Sequence, residues 1–553
     1  MFSKMWTQTY DPMGGQVLSA LVAAIPLIVL LFLLGVRRTP AHIAAPIGLL
    51  CGLGVAVAVW GMPMGLAINS IFNGAVFGLF PIVWIVVTAI WVYNMTVESG
   101  EFEIIKNSLA SITADRRLQA TFVAFAFGSF LEGTAGFGTP VAITAAMLTG
   151  LGFNPIYAAA VCLIANTAPV AFGGIGIPVI VLSQVSELDI MHLSQIIGRQ
   201  LPFLSIIVPL WVAVTMSGWK RSMEVLPALL VAGCCFAGTQ FYTANFISPY
   251  LPDITSAAVT IIGLLVFLKV WKPKNIWKFP DEVDDGKGAV ELQYSVGEVI
   301  RAWFPFVLLA VFVFAWGLDA VKAVLAPTNI SMTWPGLHNE VIKTAPIVAQ
   351  DAPYAAKYTF QWLSAGGTAI LISGILSVFV IPNYGFGKAI SCFFKTIFTL
   401  RWAIWTIAII LGLAYLLNYS GMSSTMGLAM TKTGTLYPFF APVLGWLGVF
   451  LTGSDTSANA LFGALQRTTG EQLGVDPYLM TAANSSGGVC GKMISPQSIS
   501  VACAATGMVG QEGAILRKTV AHSFAMLIVL CIMTYLQATV LHWMLPAYEA
   551  VVK

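Results

Sequence analysis

Two pairs of stretches decide how this chain folds. The first pair is LEGTAGFGTP at 131–140 with LIANTAPVAFGGIGIPV at 163–179; the second is LTGSDTSANA at 451–460 with AANSSGGVCGKMISPQS at 482–498. Each is rich in Gly, Ser, Thr, Asn or Pro, yet lies inside a long apolar run. Such residues interrupt helices. Asn166, Thr167, Gly173 and Pro178 match Asn484, Ser485, Gly491 and Pro496, all at an offset of 318 residues. Arg199 and Arg517 keep that offset, and Ser99-Gly100 and Ser420-Gly421 precede the two interrupted runs at nearly equal distances. The matches are polar and helix-breaking residues, which are rare in membrane spans, so they carry more weight than apolar likeness. The chain reads as two repeats, at about 66–217 and about 388–545.

Composition sets the class. Of 553 residues, 58% are apolar and 9% charged, against about a quarter charged in a soluble domain. So few charges could not cover a soluble surface, and lipid must solvate most of the chain. The whole of 1–553 reads as one integral membrane domain. The net charge of +3 comes without any basic block, which argues against nucleic acid. Cys51, Cys162, Cys234, Cys235, Cys392, Cys490, Cys503 and Cys531 lie mostly in apolar runs with no CxxC pair, so neither disulfides nor a metal site is expected. Residues 1–10 hold no apolar core ahead of a cleavage site, so the first apolar run is expected to stay as a membrane helix.

A span needs roughly 20 apolar residues. Twelve are predicted, at about 16–36, 43–60, 66–94, 156–183, 192–217, 224–245, 254–270, 299–318, 359–381, 402–418, 478–509 and 519–545. Two more apolar stretches, about 118–150 and about 438–466, are interrupted in the middle and read as re-entrant hairpins. Arg37 and Arg38 after the first span place the N-terminus outside by the positive-inside rule. The connection at about 271–298 is then cytoplasmic and that at about 319–358 external. On this count the hairpins enter from opposite sides, so the repeats are inverted. Inverted repeats with broken helices and a midplane site mark secondary transporters.

Backbone at a break inside the membrane survives only where protein or a water-filled cavity surrounds it. Four breaks are predicted: Gly133 to Gly138, Asn166 to Gly176, Gly453 to Ser457 and Asn484 to Ser495. A helix N-terminus exposed at a break suits a carboxylate. Gly133, Thr134, Gly136, Asn166, Thr167, Ser454, Thr456, Ser457, Asn484, Ser485 and Ser486 supply backbone, hydroxyl and amide groups of the kind a small 2-hydroxy acid needs. Glu132 is the only charge in 118–150, Asp455 the only one in 438–466, and Lys492 the only one in 478–509. Intramembrane charges are costly and point to function. A dry site favours the neutral form of a carboxyl, so such a group can take and release a proton. Asp455 and Glu132 are the candidate proton carriers. Lys492 either neutralises a substrate carboxylate or pairs with Asp455.

The long motifs resemble one family. FGSFLEGTAGFGTPVAITAAMLTGLGF at 127–153, NTAPVAFGGIGIPV at 166–179, GWLGVFLTGSDTSANALFGALQ at 445–466 and GGVCGKMISPQSISVACAATG at 487–507 are similar to the L-lactate permeases, which include the glycolate permeases. YDPMGG at 10–15 and GRQLPF at 198–203 also fit, and the resemblance runs over essentially the whole chain. It implies import of L-lactate, with glycolate and D-lactate as related substrates, by proton symport across a bacterial inner membrane. At fold level it implies an elevator-like division into transport and scaffold parts.

The expectation is therefore an all-α polytopic membrane protein, with protons as coupling ion and no cofactor. A sodium-coupled small-anion carrier is the alternative, because unwound carbonyls at the breaks suit sodium as well. A channel is disfavoured by the lack of a filter motif. An enzyme is disfavoured by the lack of a nucleophile–base pair, metal cluster or phosphate loop. The partners expected are a small monocarboxylate and the bilayer, and both monomer and homodimer stay open.

Overall fold

The computed structural model describes residues 5–136, 138–279 and 293–547. Residues 280–292 of the 271–298 connection lie outside the described residues. Apolar runs set the helices. The first group is α1 Gln16–Gly35, α2 Ala41–Ala58, α3 Met64–Phe77, α4 Trp84–Glu98, α5 Glu101–Ala110, α6 Arg116–Ala120, α7 Gly128–Thr134, α8 Thr139–Gly150, α9 Pro155–Ala165 and α10 Gly173–Ser186. Then come α11 Ile190–Ser217, α12 Trp219–Met223, α13 Leu226–Phe246, α14 Pro252–Val270, α15 Val296–Gly317 and α16 Asp319–Leu325. The last group is α17 Gly366–Ser377, α18 Phe386–Tyr419, α19 Met422–Met430, α20 Tyr437–Thr452, α21 Asp455–Leu473, α22 Pro477–Lys492, α23 Pro496–Ala505 and α24 Glu512–Thr539. Thr121–Phe127 is wound as a π-helix and joins α6 to α7. Between α3 and α4 the backbone turns extended at Phe80, just before Pro81.

Five short strands sit among the connections: β1 Trp6–Thr7, β2 Ile330–Thr333, β3 Val341–Lys343, β4 Ala352–Pro353 and β5 Lys357–Phe360. β1 pairs parallel to β3, with Trp6 opposite Val341, and β4 pairs antiparallel to β3. β2 and β5 pair antiparallel, with Ile330 opposite Phe360. The N-terminal segment and the 319–358 connection therefore lie at the same end of the molecule.

Among the described residues, ten helices are long and apolar enough to cross a membrane, or eleven if the bent pair α9–α10 counts as one span. The twelve predicted spans shrink for local reasons. The 359–381 run yields only α17, 12 residues long, because β5 and a turn take its start. The 478–509 run divides at Met493–Ser495, where the Ser495 hydroxyl caps α23 and Pro496 restarts it. The fourth predicted break also shortens. α22 stays helical through Asn484, Ser485, Ser486 and its glycines, because those glycines are needed for packing. A Cβ on Gly445, Gly487 or Gly491 would collide with backbone carbonyls across the α20–α22 contact.

Two apolar cores form. One gathers Leu30, Trp91, Phe127, Phe306 and Leu411, with side chains from α7, α10 and α21. The other gathers Phe125, Phe172, Ile197, Phe236, Val489 and Leu527, with side chains from α8, α9, α22 and α23. The interrupted stretches meet at the seam between them. Outward, Leu21 and Ile28 on α1, Ile262 and Val266 on α14, Phe394 and Phe398 on α18, and Ile528 and Ile532 on α24 are exposed. That much exposed apolar surface suits hydrocarbon rather than water.

Candidate functional site

Each break is built from residues that release the helix. α7 ends at Thr134, and Gly136 and Gly138 then take left-handed φ of 55° and 85° before α8 starts on Thr139-Pro140. α9 ends at Ala165. Beyond it Gly174, Ile175 and Gly176 are all left-handed, and the axis bends by 65° into α10. Ile175 is β-branched and tolerates this poorly. α20 ends on left-handed Gly453, and the Ser454 hydroxyl accepts from the Ser457 N–H to start α21.

Glu132 lies in the last turn of α7 and is 3% exposed. Lys492, in the last turn of α22, donates to its Oε1 at 2.6 Å, and Asn166 donates to its Oε2 at 2.9 Å. The lysine thus pairs with Glu132 and not with Asp455. Its place at a helix C-terminus is favourable for a cation. Gly173 is required beside the pair, because a Cβ there would fall 2.6 Å from Glu132 Oε1.

Asp455 occupies the opposite kind of position, in the first turn of α21, where a helix N-terminus favours negative charge. Ser485 donates to its Oδ2 at 2.6 Å and Asn459 donates at 3.3 Å. A buried chain of donors stands behind it. Tyr437 donates to Gln466 at 2.7 Å, Gln466 to Asn484 at 3.2 Å, and Asn484 to Asn459 at 2.9 Å. The other oxygen, Oδ1, has no partner among the described residues and rests against the backbone at Gly488, where a Cβ would collide with it.

Glu132, Asp455 and Lys492 face one cavity of about 60 Å³. That is room for about four waters or a comparably small anion. Gly136, Ser454 and Thr456 also line it.

A family model described as L-lactate permease matches residues 19–541. The chain belongs to the L-lactate permease family. It is similar to the glycolate permease GlcA of Escherichia coli K12, at 51% identity over 98% of this chain and 99% of that protein. The L-lactate permeases of Salmonella typhi and Bacillus subtilis strain 168 are each 47% identical, over 98% of this chain and all of theirs. Among solved structures, MtrF of Neisseria gonorrhoeae aligns over 86% of this chain and 85% of its own at TM-score 0.45 and 13% identity. That likeness is too distant to carry an argument. As a member of the lactate permease family with these apolar helices, the chain is a multi-pass membrane protein.

Of the other residues singled out in the sequence, Asn166, Asn484 and Ser485 stand one layer behind the cavity, through the hydrogen bonds above. The Thr134 hydroxyl donates back to the Phe130 carbonyl at 2.9 Å. Gly133 packs on Asp253 and Ile254, and Ser457 serves through its backbone at the start of α21. The hydroxyls of Thr167 and Ser486 are buried without partners among the described residues. Gln497 and Ser498 line the cavity and were not anticipated. The Ser-Pro start of a helix at 495–496 is the signal that could have found them. Asp253 was missed as well. It stands one residue before the predicted 254–270 span, so a count of charges inside spans passes over it.

Proposed function

We propose that this chain is a secondary transporter that imports L-lactate, glycolate and D-lactate by proton symport across a bacterial inner membrane. One observation carries the reading: two buried carboxylates from two interrupted helices share a single small cavity with one lysine. Glycolate and L-lactate, after which its relatives are named, are small 2-hydroxy carboxylates. Lys492 and the hydroxyls of Ser454 and Thr456 offer a carboxylate and a 2-hydroxyl the groups they need. Permease relatives and this set of groups support a carrier rather than an enzyme.

Asp455 is the proton carrier in this proposal, with Glu132 as the second candidate. What supports the order is their surroundings. Glu132 is neutralised by a full positive charge. Asp455 is met only by a hydroxyl and an amide, burial opposes its charge, and the helix N-terminus favours it. Balanced influences of that kind suit a group that changes charge each cycle. The two repeats, with their interrupted helices at the seam of two cores, support an elevator-like division into a transport part and a scaffold.

The test is uptake of labelled L-lactate and glycolate into proteoliposomes under an imposed pH gradient, with sodium present or absent. Uptake that follows the pH gradient and ignores sodium is expected. A requirement for sodium overturns the coupling ion. Failure with both anions overturns the substrate.

A further inference from the structure

A third carboxyl stands close to this cavity and is used by none of the above. Asp253, in the first turn of α14, is 1% exposed, and neither of its oxygens has a hydrogen-bond partner among the described residues. It sits where α14 packs on α7, with its Cβ against Gly133; a methyl there would approach it to 2.8 Å. Two hydroxyls lie one turn from this contact along the same two helices. Ser256 lies one turn on from Asp253, on the same stripe of α14. Ser129 lies one turn before Gly133 on α7. Both are buried, and neither Oγ has a partner among the described residues.

The charges do not balance without another group. Glu132 has Lys492 and Asn166, and Asp455 has Ser485 and Asn459. Among the described residues Asp253 has neither an ion-pair partner nor a hydrogen-bond donor. An ionised carboxylate so placed is strongly disfavoured, and it either takes a proton or holds a cation. The N-terminus of α14 favours its charge in part, but no neighbouring charge or donor among the described residues completes the compensation. α7 presents Glu132, which is itself negative, and Lys492 on α22 is already committed to Glu132. α13, the other long helix packed along α14, meets this end through Thr243, whose hydroxyl is paired with that of Thr255 at 3.0 Å, and brings no charge to it. Tyr250 lies just before the helix.

We propose that Asp253, with Ser129 and Ser256, forms a site for one monovalent positive charge, a proton or a sodium ion, between α7 and α14. Three hard oxygen-bearing groups and no soft donor fit either ion. The proposal rests on the transporter reading only for its role in coupling; the site itself is testable without substrate.

The experiment uses the purified full chain and Asp253→Asn, compared by infrared spectroscopy across pH 5 to 9 and by thermal melting with and without sodium chloride, potassium chloride serving as the salt control. If the charge is a proton, the wild type shows the carbonyl stretch of a buried protonated carboxyl, and that band is missing from Asp253→Asn. If it is sodium, sodium but not potassium raises the wild-type melting temperature, and the variant loses that response. Spectra that match, together with melting curves equally indifferent to sodium, overturn the site. Should Asp253→Asn not fold, Ser129→Ala with Ser256→Ala provides the second comparison, in which the band shifts or the sodium response weakens severalfold; no change in either overturns the proposal. Wild-type liposomes that fail to take up lactate and glycolate would reject the transport reading and leave this result intact.

Discussion

Glu132 and Asp455 each stand at an interruption between helices, and their surroundings are opposite. Glu132 ends a helix and is held by the Lys492 ammonium at 2.6 Å. Asp455 begins a helix and is held by dipoles: a serine hydroxyl, an asparagine amide and the N-terminus of α21. One carboxylate is paired with an ammonium; the other is hydrogen-bonded by neutral groups. Similar sequence at two breaks therefore does not mean equal chemistry. The end of the helix on which each carboxyl falls decides what must compensate it.

Removing the lysine should break the comparison most severely. Lys492→Met leaves Glu132 buried and unpaired, a loss of about 3–5 kcal/mol, read as a fall in melting temperature. Adding Glu132→Gln to it should recover much of that loss. If the single variant is as stable as the wild type, the pair is not what holds Glu132. Asp455→Asn should fold, because Asn keeps the hydrogen-bonding capacity. It should exchange labelled for unlabelled lactate yet fail to concentrate it, and accumulation at the wild-type level would shift the proton to Glu132. Ser485→Ala removes one donor to Asp455, worth about 1.5–3 kcal/mol for a bond to a charged group. It should move the pH profile of uptake, whereas Asn166→Ala, acting on the lysine-paired carboxylate, should move it less.

The smallest effect is a control away from both breaks. Glu187, beyond the end of α10, is 42% exposed and touches Lys343 and Arg467. Partial burial raises its pKa, but the two cations outweigh this and hold it below the ordinary carboxylate value. Its contribution is therefore present above the unfolded pKa and is lost as pH falls through the folded one, at acid pH. Screening keeps it below about 1 kcal/mol. Glu187→Gln should flatten the acid side of the melting profile slightly and leave proton-driven uptake unchanged.

Much of this was legible in the sequence. Glycine, proline and hydroxyl residues inside apolar runs located the interruptions at 133–138, 166–176 and 453–457, because a helix buried in lipid has few reasons to carry them. The three lone charges led to one cavity. Other features could not be read. The glycines at 487, 488 and 491 look like a break, but Gly487 and Gly491 serve a close contact with α20 and Gly488 makes room for Asp455, and only the neighbouring helices tell the two apart. The partner of Lys492 was open because 360 residues separate it from Glu132 and only 37 from Asp455; nearness in sequence pointed to the wrong carboxylate. Asp253 escaped because its significance lies in what fails to surround it.

The Glu132–Lys492 pair also has a meaning in time. A ribosome adding about 5–20 residues per second takes roughly 20–70 s to pass from one to the other. Through that interval α7 has been made and its counter-charge has not. The first interrupted helix is thus finished by nearly the last part of the chain to emerge, and the order of synthesis runs against the order in which the site can close.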